Sequence, residues 1–504
     1  MGTMIRRLLV ANRGEIAVRI IRACRELGIE SVAVYSDADA SAPHVTAADR
    51  TVRLGAASPS ESYLHIGKVI DAARLAGAEA VHPGYGFLSE NAAFASACAD
   101  AGLVFVGPPA DAIERMGSKV AARATIERAG VPVVPGATPD DQSDEALRAA
   151  AGRVGYPLML KASAGGGGKG MRVVRQPGAL AEAIGAARRE ATAAFGDGTL
   201  YVERLVERPR HVEIQVLADH HDHVVHLFER ECSLQRRHQK VIEESPSVVV
   251  SPSLRARMGE AAVATARAVG YRNAGTVEFL VEGEGDAASF YFLEMNTRLQ
   301  VEHPVTEAVS GVDLVQAQLA VAAGAVLPWS QADLAPRGHA IECRVYAEDP
   351  ANGFLPQAGR LLLHREPSGP GIRIDAGVVE GSDVTVHYDP LLAKLIVHGE
   401  TRAAAMRRAR VALRQYPVLG VRTNIPFLLA LLDHDEVVAG RFDTGFVDRE
   451  LAVLLRDDGA LTEVAVAAAA CIPGVAAASP LTSLSIADQR SDPWVALAGW
   501  RRPV

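Results

Sequence analysis

The chain has 504 residues, of which 49% are hydrophobic and 22% are charged. This length predicts several domains with sizeable cores, and the composition is that of an ordinary globular protein, not of a disordered one. The formal net charge of −8 argues against a nucleic-acid-binding protein.

The cysteine pattern indicates a reducing compartment. The five cysteines lie far apart and form no CxxC pair: Cys24, Cys98, Cys232, Cys343 and Cys471. This spacing argues against a disulfide framework and against a zinc site. The N-terminus has no signal-length apolar core, and the apolar run 464–472 is too short to span a bilayer. We therefore expect a cytoplasmic protein.

The first 110 residues predict a parallel sheet. Residues 5–11 form a strand pattern, 15–27 a helix pattern closed by Gly28, and 31–35 a second strand pattern. The intervening turn has one glycine and no GxGxxG, so a dinucleotide site is disfavoured. The turn-rich segment 82–91 contains Tyr85 and is either a structural loop or a ligand loop at the carboxyl edge of the sheet, which ends near 105–109.

A glycine-rich loop joins two predicted strands within residues 158–174. Lys161 lies on the first strand, and the loop consists of Gly165, Gly166, Gly167, Gly168, Lys169 and Gly170. Gly170 stands where a Walker A loop needs Ser or Thr. Glycines let backbone N–H groups approach a polyphosphate, and the lysines would neutralise it. The alternative is a flexible hairpin tip.

Two further strands are predicted at residues 200–206 and 210–217. The segment from Glu203 to Leu205 could be a hinge edge that hydrogen-bonds an adenine. The following histidines are expected in a solvated turn, with no carboxylate pattern nearby for a metal: His220, His221 and His223.

Residues 229–244 are unusually charged. A solvated loop would explain this charge. Within an enzyme, His238 and Lys240 could instead face an anionic substrate.

Strict alternation marks residues 290–304. Acidic, amide and basic side chains occupy every second position: Glu294, Asn296, Arg298, Gln300 and Glu302. A period of two places them on one face of an extended segment. Residues 276–280 predict another strand, which would bring Glu278 near Glu294 if the strands pair. Two carboxylates and an amide oxygen suit Mg²⁺ with nucleotide phosphates; the alternative is an amphipathic surface strand with ion pairs.

The C-terminal third is predicted to be mixed α/β. Residues 337–348 form a strand pattern that carries Arg344, segments 384–390 and 395–397 continue the β-rich region, and 402–414 predict a helix with a solvated face. After residue 446 the chain becomes Ala-rich and then polar.

From about residue 6 to about 446, the chain resembles the biotin carboxylase component of biotin-dependent acyl-CoA carboxylases, a branch of the ATP-grasp superfamily. The resemblance is carried by Ala11-Asn-Arg-Gly-Glu-Ile-Ala17, His82-Pro-Gly-Tyr-Gly-Phe-Leu-Ser-Glu-Asn91, Lys161 with the 165–170 loop, Arg236-Arg-His-Gln-Lys240 and Glu294-Met-Asn-Thr-Arg-Leu-Gln-Val-Glu-His303. Leu299 departs from the Ile expected there, but it lies on the packing side and affects no chemistry.

The resemblance implies an α/β protein with an ATP-grasp fold. The implied domains are an N-terminal parallel-sheet domain at 1–118, an ATP-grasp domain at 119–330 with a mobile lid at about 132–206, and a mixed α/β C-terminal domain at 336–446.

The family's residue roles carry over to the matching positions. The implied ATP site consists of Lys119, Lys161, Gly165, Gly166, Gly167, Gly168, Lys169, Gly170, Glu203, Leu205, His211, Gln235 and His238. The implied Mg²⁺ or Mn²⁺ ligands are Glu278, Glu294 and Asn296. The implied bicarbonate pocket consists of Lys240, Arg298, Gln300, Val301 and Glu302. Arg344 and Tyr85 match the biotin side.

The implied reaction carboxylates biotin. Glu302 would act as base on bicarbonate, which attacks the γ-phosphoryl of ATP to give carboxyphosphate. Carboxyphosphate would release CO₂ and phosphate, and the phosphate would deprotonate the biotin ureido nitrogen. Arg344 would stabilise the resulting enolate-like oxygen, while Arg298 holds bicarbonate as a planar donor.

The resemblance also implies partners. The family's Ala-Met-Lys-Met biotinylation motif does not occur in these 504 residues. Biotin is therefore expected on a carrier outside them, with a carboxyltransferase β-subunit that selects the acyl-CoA, in a homodimer or larger complex. Asp492-Pro-Trp and Gly499-Trp-Arg501 resemble the segment leading toward the carrier region, so 447–504 are expected to be an Ala-rich linker in a larger α-subunit.

Two other functions remain open at this point. Another bicarbonate-activating ATP-grasp ligase would share the nucleotide and metal residues without needing Arg344. A non-catalytic ATP-binding module would not need a base such as Glu302.

Overall fold

The computed structural model describes residues 5–163, 170–237 and 239–456. The chain begins with a parallel sheet in the order β3-β2-β1-β4-β5, whose strands are β1 Arg7–Val10, β2 Glu30–Ser36, β3 Arg50–Gly55, β4 Ala80–His82 and β5 Val104–Phe105. The helices of this region are α1 Gly14–Leu27, α2 Pro43–Ala47, α3 Ile66–Ala76, α4 Ala92–Asp100 and α5 Ala110–Gly117. The predicted β–α–β unit and parallel sheet are confirmed, and α1 ends at Gly28, which has a left-handed φ of 69°.

A small antiparallel lobe follows α6, which spans Lys119–Arg128. Its elements are β6 Gly136–Ala137, α7 Asp144–Val154, β7 Leu158–Ala162, β8 Arg172–Val174, α8 Leu180–Phe195 and β9 Leu200–Arg204. The strand order is β6-β9-β7-β8. β7 and β8 pair antiparallel, which confirms the predicted hairpin on both sides of the glycine-rich segment.

An eight-stranded sheet dominates the rest of the molecule. Its first five strands are β10 Arg210–Ala218, β11 Val224–Arg236, β12 Gln239–Ser245, β13 Asn273–Glu282 and β14 Ser289–Asn296. The helices of this part are α9 Pro252–Ala268, α10 His303–Ser310 and α11 Leu314–Ala322.

The C-terminal part completes the same sheet. Three of its strands belong to the large sheet: β15 His339–Tyr346, β20 Ile372–Ala376 and β22 Leu391–Gly399. The others form two-stranded sheets, in which β16 Glu348–Asp349 pairs with β17 Leu355–Pro356, β18 Gly359–Arg360 with β21 Asp383–Val384, and β19 Leu363–His364 with β23 Val418–Leu419. Its helices are α12 Arg402–Arg414, α13 Ile425–Asp433, α14 Asp435–Val438 and α15 Phe446–Leu454. The sheet order is β14-β13-β10-β11-β12-β15-β22-β20, so β12 and β15 join the two halves.

The two faces of this sheet differ in chemistry. On β10, apolar side chains pack in one core with α9, and polar ones alternate with them on the other face: Val212, Ile214 and Val216 against His211, Glu213 and Gln215. A strand period of two produces this division. The apolar face anchors the sheet, and the polar face lies under α10.

The charged segment 229–244 is not a solvated loop. It forms most of the hairpin β11–β12, whose described residues are largely buried. The interpretation as a solvated loop is wrong, because these charges pair with one another and with neighbouring strands instead of with water. The predicted turn of His220, His221 and His223 is confirmed as exposed.

The alternating stretch leaves the sheet halfway. β14 ends at Asn296, and residues 297–302 turn toward α10. The expectation of one extended face through Glu302 is therefore wrong beyond Asn296. The backbone N–H of Thr297 donates to the Glu90 side chain, and Pro304 stands in the first turn of α10. The turn brings the later side chains over the sheet instead of along it.

The expected boundary at residue 446 falls one helix too early. Phe446, Val447 and Leu454 of α15 are buried in the C-terminal core, and the compact unit runs to Leu455. Residues 457–504, which contain most of the expected linker, lie outside the described residues. Among the helices that the structure describes, none combines the length and apolar character needed to cross a membrane.

We expect Phe446→Ala to lower the free energy of unfolding by about 3 kcal/mol or more, because the ring packs against those of His434 and Phe442. Urea unfolding of the Phe446→Ala variant, of the control variant named next and of the parent protein measures this loss. The control is Val453→Ala on the same helix, which is 42% exposed and should change stability by less than about 0.5 kcal/mol. Equal losses would contradict the placement of α15 in the core.

Candidate active site

A cavity of about 1210 Å³ lies between the parallel-sheet region, the small lobe and the polar face of the large sheet. It brings together all the described candidate residues except Gly170: Tyr85, Lys119, Lys161, Glu203, Leu205, His211, Gln235, Lys240, Glu278, Glu294, Asn296, Arg298, Gln300, Val301, Glu302 and Arg344. The remaining candidates lie outside the described residues: Gly165, Gly166, Gly167, Gly168, Lys169 and His238.

Lys240 is at the centre of the cavity floor. Its Nζ donates to three carboxylates, at 2.6 Å to Glu213, 3.0 Å to Glu278 and 2.6 Å to Glu302. The second oxygen of Glu302 accepts from Arg344 at 2.9 Å. Glu302 is fully buried, so these cations replace its hydration.

The pKa values of this cluster follow from its charges. Burial alone would raise the pKa of Glu302, but Lys240, Arg344 and Arg230 outweigh it and hold that pKa well below the ordinary value. Burial would likewise lower the pKa of Lys240, but Cys232 and the surrounding carboxyls raise it well above the ordinary value. The floor therefore holds an ionised carboxylate between cations.

Arg298 is a further cation that lines the cavity. Its Nε donates to Glu90 at 2.8 Å, and its other nitrogens donate to Gln300 Oε1 at 2.9 Å and Asn296 Oδ1 at 3.2 Å. These three side-chain acceptors, together with the Leu299 carbonyl at 3.2 Å, fix the plane of the guanidinium. An anion that enters the cavity meets this fixed fork together with Lys240 and Arg344.

The predicted carboxylate pair is confirmed as a cross-strand pair. Glu278 on β13 stands directly opposite Glu294 on β14, and a bulge at Leu293 interrupts the register beside them. Glu278 also accepts from the Asn296 amide at 2.8 Å and lies 2.9 Å from His211 Nε2. Two carboxylates and an amide oxygen fit a hard divalent cation.

The small lobe contributes a second ion-pair cluster. Glu203 accepts from Arg123 at 2.6 Å and lies 2.6 Å from Lys161 Nζ. Lys119 Nζ lies 3.3 Å from Glu294. The backbone N–H of Leu205 donates to Pro157 O at 3.1 Å, so in this structure that donor is engaged within the lobe.

Two side chains expected on the biotin side, Tyr85 and Arg344, also line the cavity. The Tyr85 hydroxyl donates to Glu15 on α1. Arg344 on β15 donates to Glu243 at 2.5 Å as well as to Glu302. Arg344 therefore links β12, its own strand and the turn before α10.

Several residues of the site were not predicted from the sequence: Glu15, Glu90, Arg123, Glu213, Arg230, Glu243 and Lys394. Glu213 could have been found, since it alternates with His211 on a predicted strand. Lys394 is a lone lysine in an apolar strand, the signal that singled out Lys161. Glu90 and Glu243 carry no local signal, because their partners are distant in sequence.

Comparison with known proteins gives the family. Residues 4–113 match the family model described as biotin carboxylase, N-terminal domain, and 342–449 match the biotin carboxylase C-terminal domain. Between them, residues 118–330 match the model described as carbamoyl-phosphate synthase L chain, ATP binding domain.

Individual relatives agree with these matches. The biotin carboxylase of Halalkalibacterium halodurans is 52% identical over 89% of this chain and 99% of its own length. The mitochondrial methylcrotonoyl-CoA carboxylase subunit alpha of Rattus norvegicus is 49% identical over 93% of this chain, which spans 65% of that subunit's length.

A solved structure shares the fold. The biotin carboxylase domain dimer of the Hydrogenobacter thermophilus 2-oxoglutarate carboxylase, in complex with MgADP, ADP and bicarbonate, is 43% identical and superposes with a TM-score of 0.86. The match covers 90% of this chain and all of that one. The expected α/β ATP-grasp architecture is confirmed, and the chain belongs to the biotin carboxylase family.

Proposed function

We propose that this chain catalyses the ATP- and bicarbonate-dependent carboxylation of biotin, the first half-reaction of a biotin-dependent carboxylase. The observation that carries this proposal is the buried Glu302 carboxylate held between Lys240 and Arg344 on the floor of a cavity with a facing pair of acidic residues. A nucleotide-binding module would have no use for a desolvated base between two cations.

Glu302 serves as the base toward bicarbonate. In the resting site its negative charge is neutralised by cations, which lowers its pKa and makes it a weak proton acceptor. Bicarbonate is itself an anion, so it competes for Lys240, Arg344 and Arg298. As these cations turn toward the substrate, Glu302 loses stabilisation and gains basicity at the moment a proton must be taken.

The activated bicarbonate oxygen attacks the γ-phosphoryl of ATP, which gives carboxyphosphate and ADP. Lys161, and Lys119 beside Glu294, offset charge on the phosphates. Glu278, Glu294 and Asn296 would hold Mg²⁺ or Mn²⁺, which neutralises phosphate charge when bound. Asn296 and Gln300 already orient the Glu278 carboxylate by hydrogen bonds.

Carboxyphosphate then releases CO₂ and phosphate, and the phosphate removes the proton from the biotin ureido nitrogen. Arg344 stabilises the enolate-like oxygen that forms, and Tyr85 lines the same wall. The ureido nitrogen attacks CO₂ to give carboxybiotin.

The partners we propose are a biotin carrier domain or protein and a carboxyltransferase β-subunit for an acyl-CoA, in a homodimer or larger complex. The four described cysteines are buried and unpaired with one another: Cys24, Cys98, Cys232 and Cys343. This state suits the reducing cytoplasm, which is the location we propose.

The first test is ADP release with Mg²⁺, ATP and bicarbonate, with and without free biotin. We expect release that requires bicarbonate and is strongly stimulated by biotin. If bicarbonate-dependent ADP release is not stimulated by free biotin, the assay is repeated with a biotinylated carrier. Release that the carrier does not stimulate either would favour a second candidate, another bicarbonate-activating ligase. That candidate is supported by the carbamoyl-phosphate synthase description of the 118–330 match. ATP binding with no turnover would favour a non-catalytic module.

Glu302→Gln is expected to lower bicarbonate-dependent ADP formation by about 100-fold or more, since the amide cannot accept the proton. Nucleotide binding, followed by fluorescence titration, should change less than twofold. The matched control is Glu282→Gln on β13, a carboxylate that does not line the cavity, although its partner Arg204 does. Near-normal turnover of Glu302→Gln would contradict its role as base.

The lobe at about 132–206 is expected to act as a lid that closes over ATP. Nucleotide should slow amide hydrogen exchange in peptides from this range more than in peptides from the first parallel sheet, which serves as the internal reference. Identical exchange in both states would argue against a lid.

A further inference from the structure

Lys394 lies on β22 with a fully buried side chain, and its Nζ donates to the carbonyl of Val301 at 2.8 Å. Val301 immediately precedes Glu302. The two residues are 93 positions apart, so this bond ties the turn that carries the base to the far side of the large sheet.

The turn has few other anchors of this kind. The carbonyl of Gln300 accepts from His303, the first residue of α10, which is only three positions away. The carbonyl of Glu302 accepts from the backbone N–H of Val305 in the same helix. Among the described contacts of these three carbonyls, only that of Val301 is held by a distant element. The orientation of the Val301–Glu302 peptide therefore depends on Lys394.

A buried ammonium must itself be neutralised. Lys394 Nζ lies 3.2 Å from Glu15 on α1 and 3.9 Å from Asp375 on β20. Burial alone would lower the pKa of Lys394, but Glu15, Glu342 and Asp375 outweigh it and raise that pKa. Lys394 is therefore a charged donor with a fixed position.

The same ion pair extends to Tyr85, which lines the cavity. The second oxygen of Glu15 accepts from the Tyr85 hydroxyl, and the Lys394 ammonium lies 6.0 Å from the centre of the Tyr85 ring. Gly377 permits this arrangement, because a Cβ there would lie 2.6 Å from the Glu15 nitrogen. Lys394 thus contacts both the turn that carries Glu302 and Glu15, the hydrogen-bond acceptor of Tyr85.

We infer that Lys394 is a positioning residue for the bicarbonate step, which orients the Val301–Glu302 peptide through the Val301 carbonyl. It touches no reactant and acts through that peptide. This inference rests on the proposed function.

The test compares bicarbonate kinetics in three variants. Lys394→Met removes the anchor, and we expect kcat/KM for bicarbonate to fall about 10- to 100-fold, since displacements near 1 Å cost up to about 100-fold. KM for ATP should stay within twofold. Because Lys394→Met also leaves Glu15 unpaired, the double variant Glu15→Gln/Lys394→Met removes both charges. The unfolding midpoint of the double variant should return toward that of the parent protein. Its kcat/KM for bicarbonate should stay below that of the single variant Glu15→Gln.

The matched control is Arg373→Met. Arg373 pairs with the same Asp375 and with Glu307, and like Lys394 it does not line the cavity, but its described hydrogen bonds and ion pairs include none to the Val301–Glu302 peptide. It should lose stability without a selective change in bicarbonate kinetics. The inference would be overturned if the double variant had the same kcat/KM for bicarbonate as Glu15→Gln. It would also be overturned if Arg373→Met lowered kcat/KM for bicarbonate as much as Lys394→Met does. If the parent protein itself shows no bicarbonate-dependent ADP release, the proposed function fails instead.

Discussion

The arrangement of the active site depends on burying charges that neutralise one another. The Lys240 ammonium is surrounded by Glu213, Glu278 and Glu302, and each of these carboxylates has at least one further polar or cationic neighbour. Taking an ion out of water costs several kcal/mol, so removal of one member leaves its partners uncompensated. The cluster therefore presents cations that are already in place, and an incoming anion can share them with the carboxylates that they neutralise.

The eight-stranded sheet makes this burial possible. Its polar face carries charged residues on successive strands, and the pairing of β12 with β15 brings Glu243 beside Arg344. α10 and the turn before it cover that face and add Glu302 from above. The charged residues that surround Glu302, Lys240 before residue 330 and Arg344 after it, thus come from both halves of a sheet that two family models divide between them.

Much of the fold could be predicted from the sequence, because periodicity is a local property. The parallel start of the chain, the hairpin around Lys161 and α12 were all confirmed. The approach of Glu278 to Glu294 was predicted on the condition that strand 276–280 pairs with the alternating stretch, and that pairing is confirmed. The alternating stretch was predicted correctly only to Asn296. Glu90 and the start of α10 turn the chain there, and neither contact is visible in a pattern of period two. The burial of segment 229–244 was also invisible locally, because its counter-charges lie on distant strands.

The bond between β12 and β15 also bears on how such enzymes can be recombined. A chain divided near residue 330 would expose the edge of β12 at Ile242–Ser245, a row of unpaired backbone donors and acceptors that invites edge-to-edge aggregation. It would also separate Arg344 from the carboxylates it neutralises. Chimaeras that exchange the nucleotide-binding part between relatives should therefore keep the C-terminal strands with it. The segment to exchange is longer than the 118–330 match alone.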